Sequence, residues 1–202
     1  MTSWRVGPYM NINDLNSGDF NVRVYDYRHE NLRKYAKFEI KFASSRIDVM
    51  VSLSNNKSIL EFDVDVDWRE LGGEFIPQLN FYVPAAYKVD KYRYDIPFGT
   101  IDRDAIAHDV PANSYMQLIN NDGKSIFIVT DSKYGFRGID NSGAVSLLRS
   151  STDPDPYPEF GKHHIKIGVG IGSCDEIPEA VEKFKHPVVF ASNNKHGGTL
   201  GL

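Results

Sequence analysis

A strict alternation of apolar and acidic side chains over residues 60–68 constrains the fold of this chain more than any other feature. Leu60, Phe62, Val64, Val66 and Trp68 are each separated by one carboxylate residue. Because successive side chains of a β-strand point to opposite faces, this pattern predicts a strand with one buried and one solvated face. A second alternating run over 47–53 precedes it, with two turn-forming asparagines between them. The two runs predict a β-hairpin.

Other segments repeat the strand signal along the chain. Strands are predicted at 21–27, 36–42, 78–83, 91–96, 114–119, 125–130, 144–148 and 164–171. Residues 120–123 supply the side chains that a tight hairpin turn requires. Short helices are predicted at 176–184, where Pro178 falls in the first turn, and more weakly at 29–35. The pattern predicts an all-β fold, a large antiparallel β-sandwich with at most two short helices.

Length and composition fit one domain over residues 1–202. A globule of this length buries roughly 70% of its unfolded surface, which is enough for a core. The net charge of -4 provides no basic face for a phosphate backbone, so nucleic acid is not an expected partner. The segment 193–202, which contains three glycines, is expected to be a flexible tail.

The cysteine count bears on the compartment. Cys174 is the only cysteine in the sequence, so an internal disulfide cannot form and a reducing, cytoplasmic location is expected. No apolar run approaches the roughly 20 residues of a membrane span, and the first residues do not resemble a signal peptide. We therefore expect no membrane association.

The acidic and glycine patterns resemble ligand motifs but do not match them. The carboxylates of 61–67 approach a calcium loop, yet Trp68 stands where such a loop needs glycine, so they are predicted to line the wet face of a strand. Gly168, Gly170 and Gly172 alternate as in a strand and lack the turn-then-helix spacing of a dinucleotide site.

The sequence contains no complete catalytic set and no metal motif. None of the six histidines forms the helical pair that positions zinc. His163 and His164 are neighbours at a predicted strand start and should point to opposite faces. Cys174 has no basic partner nearby in the sequence, so nucleophilic catalysis has no support here.

The loop over 149–161 is rich in proline. Its three prolines restrict the backbone, so the loop should hold a defined shape while it presents Asp153, Asp155, Tyr157 and Glu159. A rigid polar loop on a sandwich suits binding. A structural crossover between two sheets explains the same composition equally well, and both interpretations stay open.

Several strings in a fixed order resemble one known family. They are residues 94–103 (YDIPFGTIDR), 131–136 (DSKYGF), 147–150 (LLRS), 153–156 (DPDP) and 161–163 (GKH), together with 2–7 (TSWRVG) and 66–70 (VDWRE). This set is similar to the C-terminal β domain of the family 38 glycoside hydrolases, the α-mannosidases. The resemblance extends over nearly the whole chain.

The resemblance implies a β supersandwich of the galactose-mutarotase-like type, excised from a larger enzyme. It implies that the domain follows a catalytic α/β domain and a helical domain, which are its partners and which carry zinc and an aspartate nucleophile. No catalytic residue or metal ligand is carried over to this chain, and the isolated domain is expected to be inactive. By the same resemblance, Arg149, Asp153, Asp155 and His163 are candidate contacts to a mannose-containing carbohydrate in the substrate cleft.

Two other functions fit parts of the sequence. A mutarotase-type sugar epimerase would use a histidine acid and a carboxylate base, for example His108 or His163 with Glu159. A non-catalytic carbohydrate-binding module would stack exposed aromatic rings on sugars, for which Tyr87, Tyr92 and Tyr157 are the candidates.

Overall fold

The computed structural model describes residues 23–29, 33–55, 57–121, 123 and 125–188, and for 23–29 only the backbone. These residues form thirteen strands and one helix. In chain order they are β1 (Arg23–His29), β2 (Arg33–Phe42), β3 (Ser45–Ser54), β4 (Ile59–Trp68), β5 (Gln78–Pro84), β6 (Lys91–Ile96), β7 (Gly99–Arg103), β8 (Val110–Pro111), β9 (Tyr115–Ile119), β10 (Ser125–Thr130), β11 (Gly135–Ile139), β12 (Ser142–Arg149), β13 (Gly161–Gly172) and α1 (Ile177–Lys185).

The strands form two antiparallel sheets. The larger has nine strands in the order β1-β2-β3-β4-β13-β10-β9-β6-β7, and the smaller has four in the order β5-β12-β11-β8. Strand β13 lies between β4 and β10, so it joins two blocks of the larger sheet that are formed by earlier parts of the chain. The prediction of an all-β antiparallel sandwich with one or two short helices is confirmed.

The core lies between the sheets and is built on the alternation in β4. Val64, Val66 and Trp68 are at most 3% exposed. Phe62, on the same face, meets Phe81 of β5 edge-on, with 4.9 Å between ring centroids. The intervening carboxylates lie on the outer face, as the alternation predicts.

Helix α1 covers part of the outer face of the larger sheet. Its Ile177 and Val181 pack in one cluster with Ile59, Phe127 and Val129. The glycines of β13 make room for this layer: a Cβ at Gly170 would lie 2.5 Å from the Phe127 ring, and one at Gly168 would lie 2.7 Å from Ile59 and Val129. The alternating glycines are therefore a packing feature.

Local predictions are mostly confirmed. The β3–β4 and β9–β10 hairpins form as predicted, and Gly123 has a φ of +97° in the second turn. The prediction of a helix at 29–35 is wrong for the residues that the structure describes. Arg33 and Tyr35 belong to β2 and pair with Ser54 and Ser52 of β3. Strands β7, β8 and β11 were not predicted, and the tail at 193–202 lies outside the described residues.

One end of the sandwich collects several of the connections between the sheets. Loops 69–77, 131–134 and 150–160 each pass from one sheet to the other where β4, β10 and β12 end. The turn at residues 97–98 joins β6 to β7 at this same end, as the pairings of Val129 with Tyr115 and of Tyr94 with Met116 show. We call this the crossover end. It is stepped, because β13 starts six residues before its ladder pair Ile167–Thr130, roughly 20 Å along the strand.

Candidate functional site

The proline-rich loop is a crossover between the two sheets. It leaves β12 after Arg149 and enters β13 at Gly161. Its first residue is tied to both neighbouring strands: the Ser150 amide donates to the Pro77 carbonyl at 3.0 Å, and the Ser150 hydroxyl accepts from the Trp68 indole at 2.6 Å. The same hydroxyl donates to the Glu70 carbonyl at 2.6 Å. The base of the loop is thus fixed and buried.

The two candidate aspartates lie on the exposed part of this loop. Asp153 and Asp155 are both exposed, and Tyr157 beside them is 63% exposed. The Tyr157 amide donates to Asp155 Oδ1 at 2.9 Å, a local turn that orients this carboxylate. Arg149 is partly buried at the end of β12, where it pairs with Gln78 of β5. The carboxylates are therefore presented to solvent from a fixed base.

His163 is held against the end of the same loop. Its Nε2 lies 2.8 Å from the Glu159 carbonyl oxygen, and its Nδ1 lies 3.9 Å from Glu159 Oε2. His164 lies on the opposite face, with Nδ1 2.8 Å from Asp65 Oδ1, so the predicted divergence of the two rings is confirmed. Because both ring nitrogens of His163 face Glu159, the two side chains do not stand on opposite sides of a space that a sugar could occupy.

Residues of the β4–β5 loop complete this site, and the sequence reasoning did not assign them a role. The Arg69 guanidinium lies over the Phe160 ring, 4.8 Å from its centroid. A Cβ at Gly72 would lie 2.2 Å from the Ser150 carbonyl oxygen, so the two loops touch through their backbones. In the sequence, only the string 66–70, one of the strings on which the family resemblance rests, indicated that this loop is important.

The acidic face of β4 forms ion pairs with basic side chains. Together with neighbouring strands it lines an open groove of about 500 Å³. Arg46 contacts Asp48 at 3.0 Å, and Arg69 contacts Asp67 at 2.6 Å. Among the residues that the structure describes, no group of three or more His, Cys, Asp or Glu side chains could hold a metal ion. The described part of the chain therefore provides no set of side chains that fits a zinc ion.

The aromatic residues of the binding-module alternative are mostly committed to the core. Tyr92 is only 3% exposed, so its predicted availability for a sugar ring is wrong. The Tyr87 hydroxyl donates to the Leu118 carbonyl at 2.6 Å and accepts from the Ile126 amide at 2.8 Å. Of these three rings, Tyr157 is the exposed one.

The described chain is a two-sheet antiparallel β-sandwich with an acidic crossover loop that is anchored at its base. The profile of the glycosyl hydrolases family 38 C-terminal domain matches residues 1–157, more than half of the chain. The chain belongs to this family.

Solved structures share the fold. One is a protein in the glycosyl hydrolase family 38 from Enterococcus faecalis, with a TM-score of 0.72, 12% identity, and coverage of 90% of this chain and 27% of that one. Another is an α-mannosidase from Enterococcus faecalis V583, with a TM-score of 0.65, 10% identity, and coverage of 82% and 24%. This chain thus spans about a quarter of each protein. A comparison with curated protein sequences gives no significant match.

A putative aldose 1-epimerase from Escherichia coli K12 is less similar. Its TM-score is 0.39 at 10% identity, with coverage of 74% of this chain and 68% of that one. This likeness carries no argument about function.

In the described part of the chain, no helix has the length and apolar character needed to cross a bilayer.

Proposed function

We propose that this chain is the C-terminal accessory β domain of an α-mannosidase, a retaining glycosidase that cleaves α-linked mannosides. The observation that carries the proposal is the family match over residues 1–157. The shared fold with two Enterococcus faecalis proteins, one of them titled an α-mannosidase, supports it. The domain packs against catalytic and helical domains of the same polypeptide, which supply the zinc ion and the nucleophile.

We also propose that the loop over 150–160 lines part of the substrate cleft. Arg149, Asp153, Asp155 and His163 are the proposed contacts to mannose-containing carbohydrate. The buried base at Ser150 and the exposed carboxylates support this role, since a rigid loop loses little entropy when it binds. Carboxylates and a guanidinium form directional hydrogen bonds with sugar hydroxyls.

The test measures mannoside hydrolysis by the whole polypeptide that contains this domain. We expect Asp155→Ala and Arg149→Ala each to lower kcat/KM about tenfold or more, the effect of one hydrogen bond to a charged group. Asp175→Ala, an exposed carboxylate before α1, is the matched control and should leave kcat/KM unchanged. Unchanged kcat/KM in both loop variants, with stability retained, removes the cleft role. Absence of mannoside hydrolysis by the wild-type polypeptide removes the α-mannosidase assignment.

A further inference from the structure

The tip of the β6–β7 hairpin carries an unusual residue. Phe98 has a φ of +69° and is fully exposed. Positive φ is unfavourable for residues other than glycine and is rare for bulky side chains. An exposed ring also gains nothing from burial. Phe98 therefore has a local conformational cost that no contact within the described chain offsets.

The base of this hairpin is rigid. Asp95 accepts hydrogen bonds from the Ser114 amide at 2.7 Å and the Ser114 hydroxyl at 2.6 Å. Across the hairpin, Arg93 donates two bonds to Asp102 at 2.6 and 2.8 Å, and this pairing lowers the pKa of Asp102. Phe98 is thus held at a fixed position, which favours its use as an interface anchor.

Other large apolar side chains are exposed at the same crossover end. Half of the twelve large hydrophobic side chains that are exposed in the described residues lie there: Leu71, Phe75, Phe98, Tyr134, Tyr157 and Phe160. At about 200 Å² for each fully exposed side chain, their exposed fractions amount to on the order of 800 Å² of mostly apolar surface. An interface between domains of one chain buries about 600–1,500 Å². The exposed area matches this scale.

We propose that the crossover end is the docking surface for the part of the polypeptide that precedes this domain, with Phe98 inserted in an apolar pocket on that part. The occupant follows from two observations: the family is a C-terminal domain, and this chain covers only 24% and 27% of two solved proteins that share its fold. This inference rests on the proposed function. It places part of the domain interface on the same loop that carries Asp153 and Asp155.

Hydrogen–deuterium exchange tests this surface. The 202-residue chain and the whole polypeptide are compared peptide by peptide. We expect peptides that contain residues 70–77, 97–99, 131–134 and 150–160 to exchange at least tenfold more slowly in the whole polypeptide. Peptides from residues 33–37 of β2 and 50–54 of β3, which pair at the opposite end of the sheet, serve as the internal reference and should exchange alike in both.

A substitution at the anchor should act with opposite sign in the two proteins. Phe98→Asn removes the ring and introduces a residue that tolerates positive φ. In the 202-residue chain we expect Tm to rise by about 2–4 °C as strain is relieved. In the whole polypeptide we expect this domain's Tm to fall and the exchange protection at the crossover end to be lost. Tyr82→Asn, an exposed ring in β5, should shift both proteins equally.

The outcomes are separable. Equal exchange of the crossover end in both proteins overturns the inference, even where the whole polypeptide hydrolyses α-mannosides. Protection that appears only on self-association of the 202-residue chain, or only with added mannose oligosaccharide, overturns it too. Protection in a whole polypeptide that does not hydrolyse mannosides supports the docking surface while it refutes the proposed activity.

Discussion

Trp68 and Ser150 are joined by a buried hydrogen bond although 82 residues separate them in the sequence. The indole Nε1 donates to the serine hydroxyl at 2.6 Å, and the hydroxyl in turn donates a hydrogen bond to the Glu70 carbonyl oxygen at the same distance. One small side chain thus fastens the end of β4 in the larger sheet to the end of β12 in the smaller sheet.

Ser150→Ala should lower the free energy of unfolding by about 1–3 kcal/mol, because it leaves a buried indole N–H without its acceptor. Urea unfolding followed by tryptophan fluorescence measures the change. Ser132→Ala, at an exposed serine, is the matched control and should change stability by less than about 0.5 kcal/mol. Equal stability of the two variants would contradict the role of this bond.

Gly170→Ala should destabilise the layer beneath α1. The new Cβ would lie 2.5 Å from the Phe127 ring, and overpacking of this kind costs about 1–3 kcal/mol. Thermal unfolding should show a lower Tm for Gly170→Ala. Gly73→Ala has no atom within 4 Å of the added carbon, so its Tm should stay close to that of the wild type.

Asp95 should be more important for stability than an exposed aspartate. Its carboxylate accepts from the Ser114 amide, the Ser114 hydroxyl and the Tyr115 amide, the last at 2.9 Å. Asp95→Ala should cost about 2–4 kcal/mol, and Asp95→Asn should cost less because its amide keeps one acceptor. Asp104→Ala, which breaks only a surface pair with Lys91, should cost less than about 1 kcal/mol in the same urea titration.

Stability should fall at alkaline pH. Burial raises the pKa of Tyr94 to about 12 and also raises the pKa of Tyr87, Tyr92 and Tyr115. Unfolded tyrosine ionises near pH 10, so the contribution of these groups is fully present below that pH and is lost as pH rises toward 12. Urea midpoints between pH 8 and 11.5 should decline, and Tyr94→Phe should make the decline shallower. A wild-type midpoint that does not change over this range would refute the prediction.

The sequence predicted the fold where side-chain alternation is strong and failed where pairing alone determines structure. The alternation of Val64 and Val66 with acidic residues fixed β4 and its partner β3. Strand β7 is exposed on nearly all its residues, and β11 buries Arg137 and Gly138, so neither shows an apolar period. Arg33–Tyr35 favours no strand locally, but pairing with β3 overrides its weak helical tendency.

The candidate site could be predicted only in part. Proline content indicated a rigid loop, and its role as a crossover required knowing that β12 and β13 belong to different sheets. The contact of Arg69 with Phe160 joins residues far apart in the chain, and no local pattern reveals such a contact. The strain at Phe98 was invisible in the sequence for the same reason: it depends on the turn geometry between two strands.

The central position of β13 has a consequence for how this domain is made. Every other strand of the larger sheet precedes β13 in the sequence, and β13 pairs with β4 on one side and β10 on the other. During synthesis from the N-terminus, the block β1-β2-β3-β4 and the block β10-β9-β6-β7 both emerge from the ribosome before β13. Until β13 emerges, the edge strands β4 and β10 each lack one pairing partner. The sheet closes only when residues 161–172 emerge, so the edges of β4 and β10 that pair with β13 stay exposed to other strands until that late step.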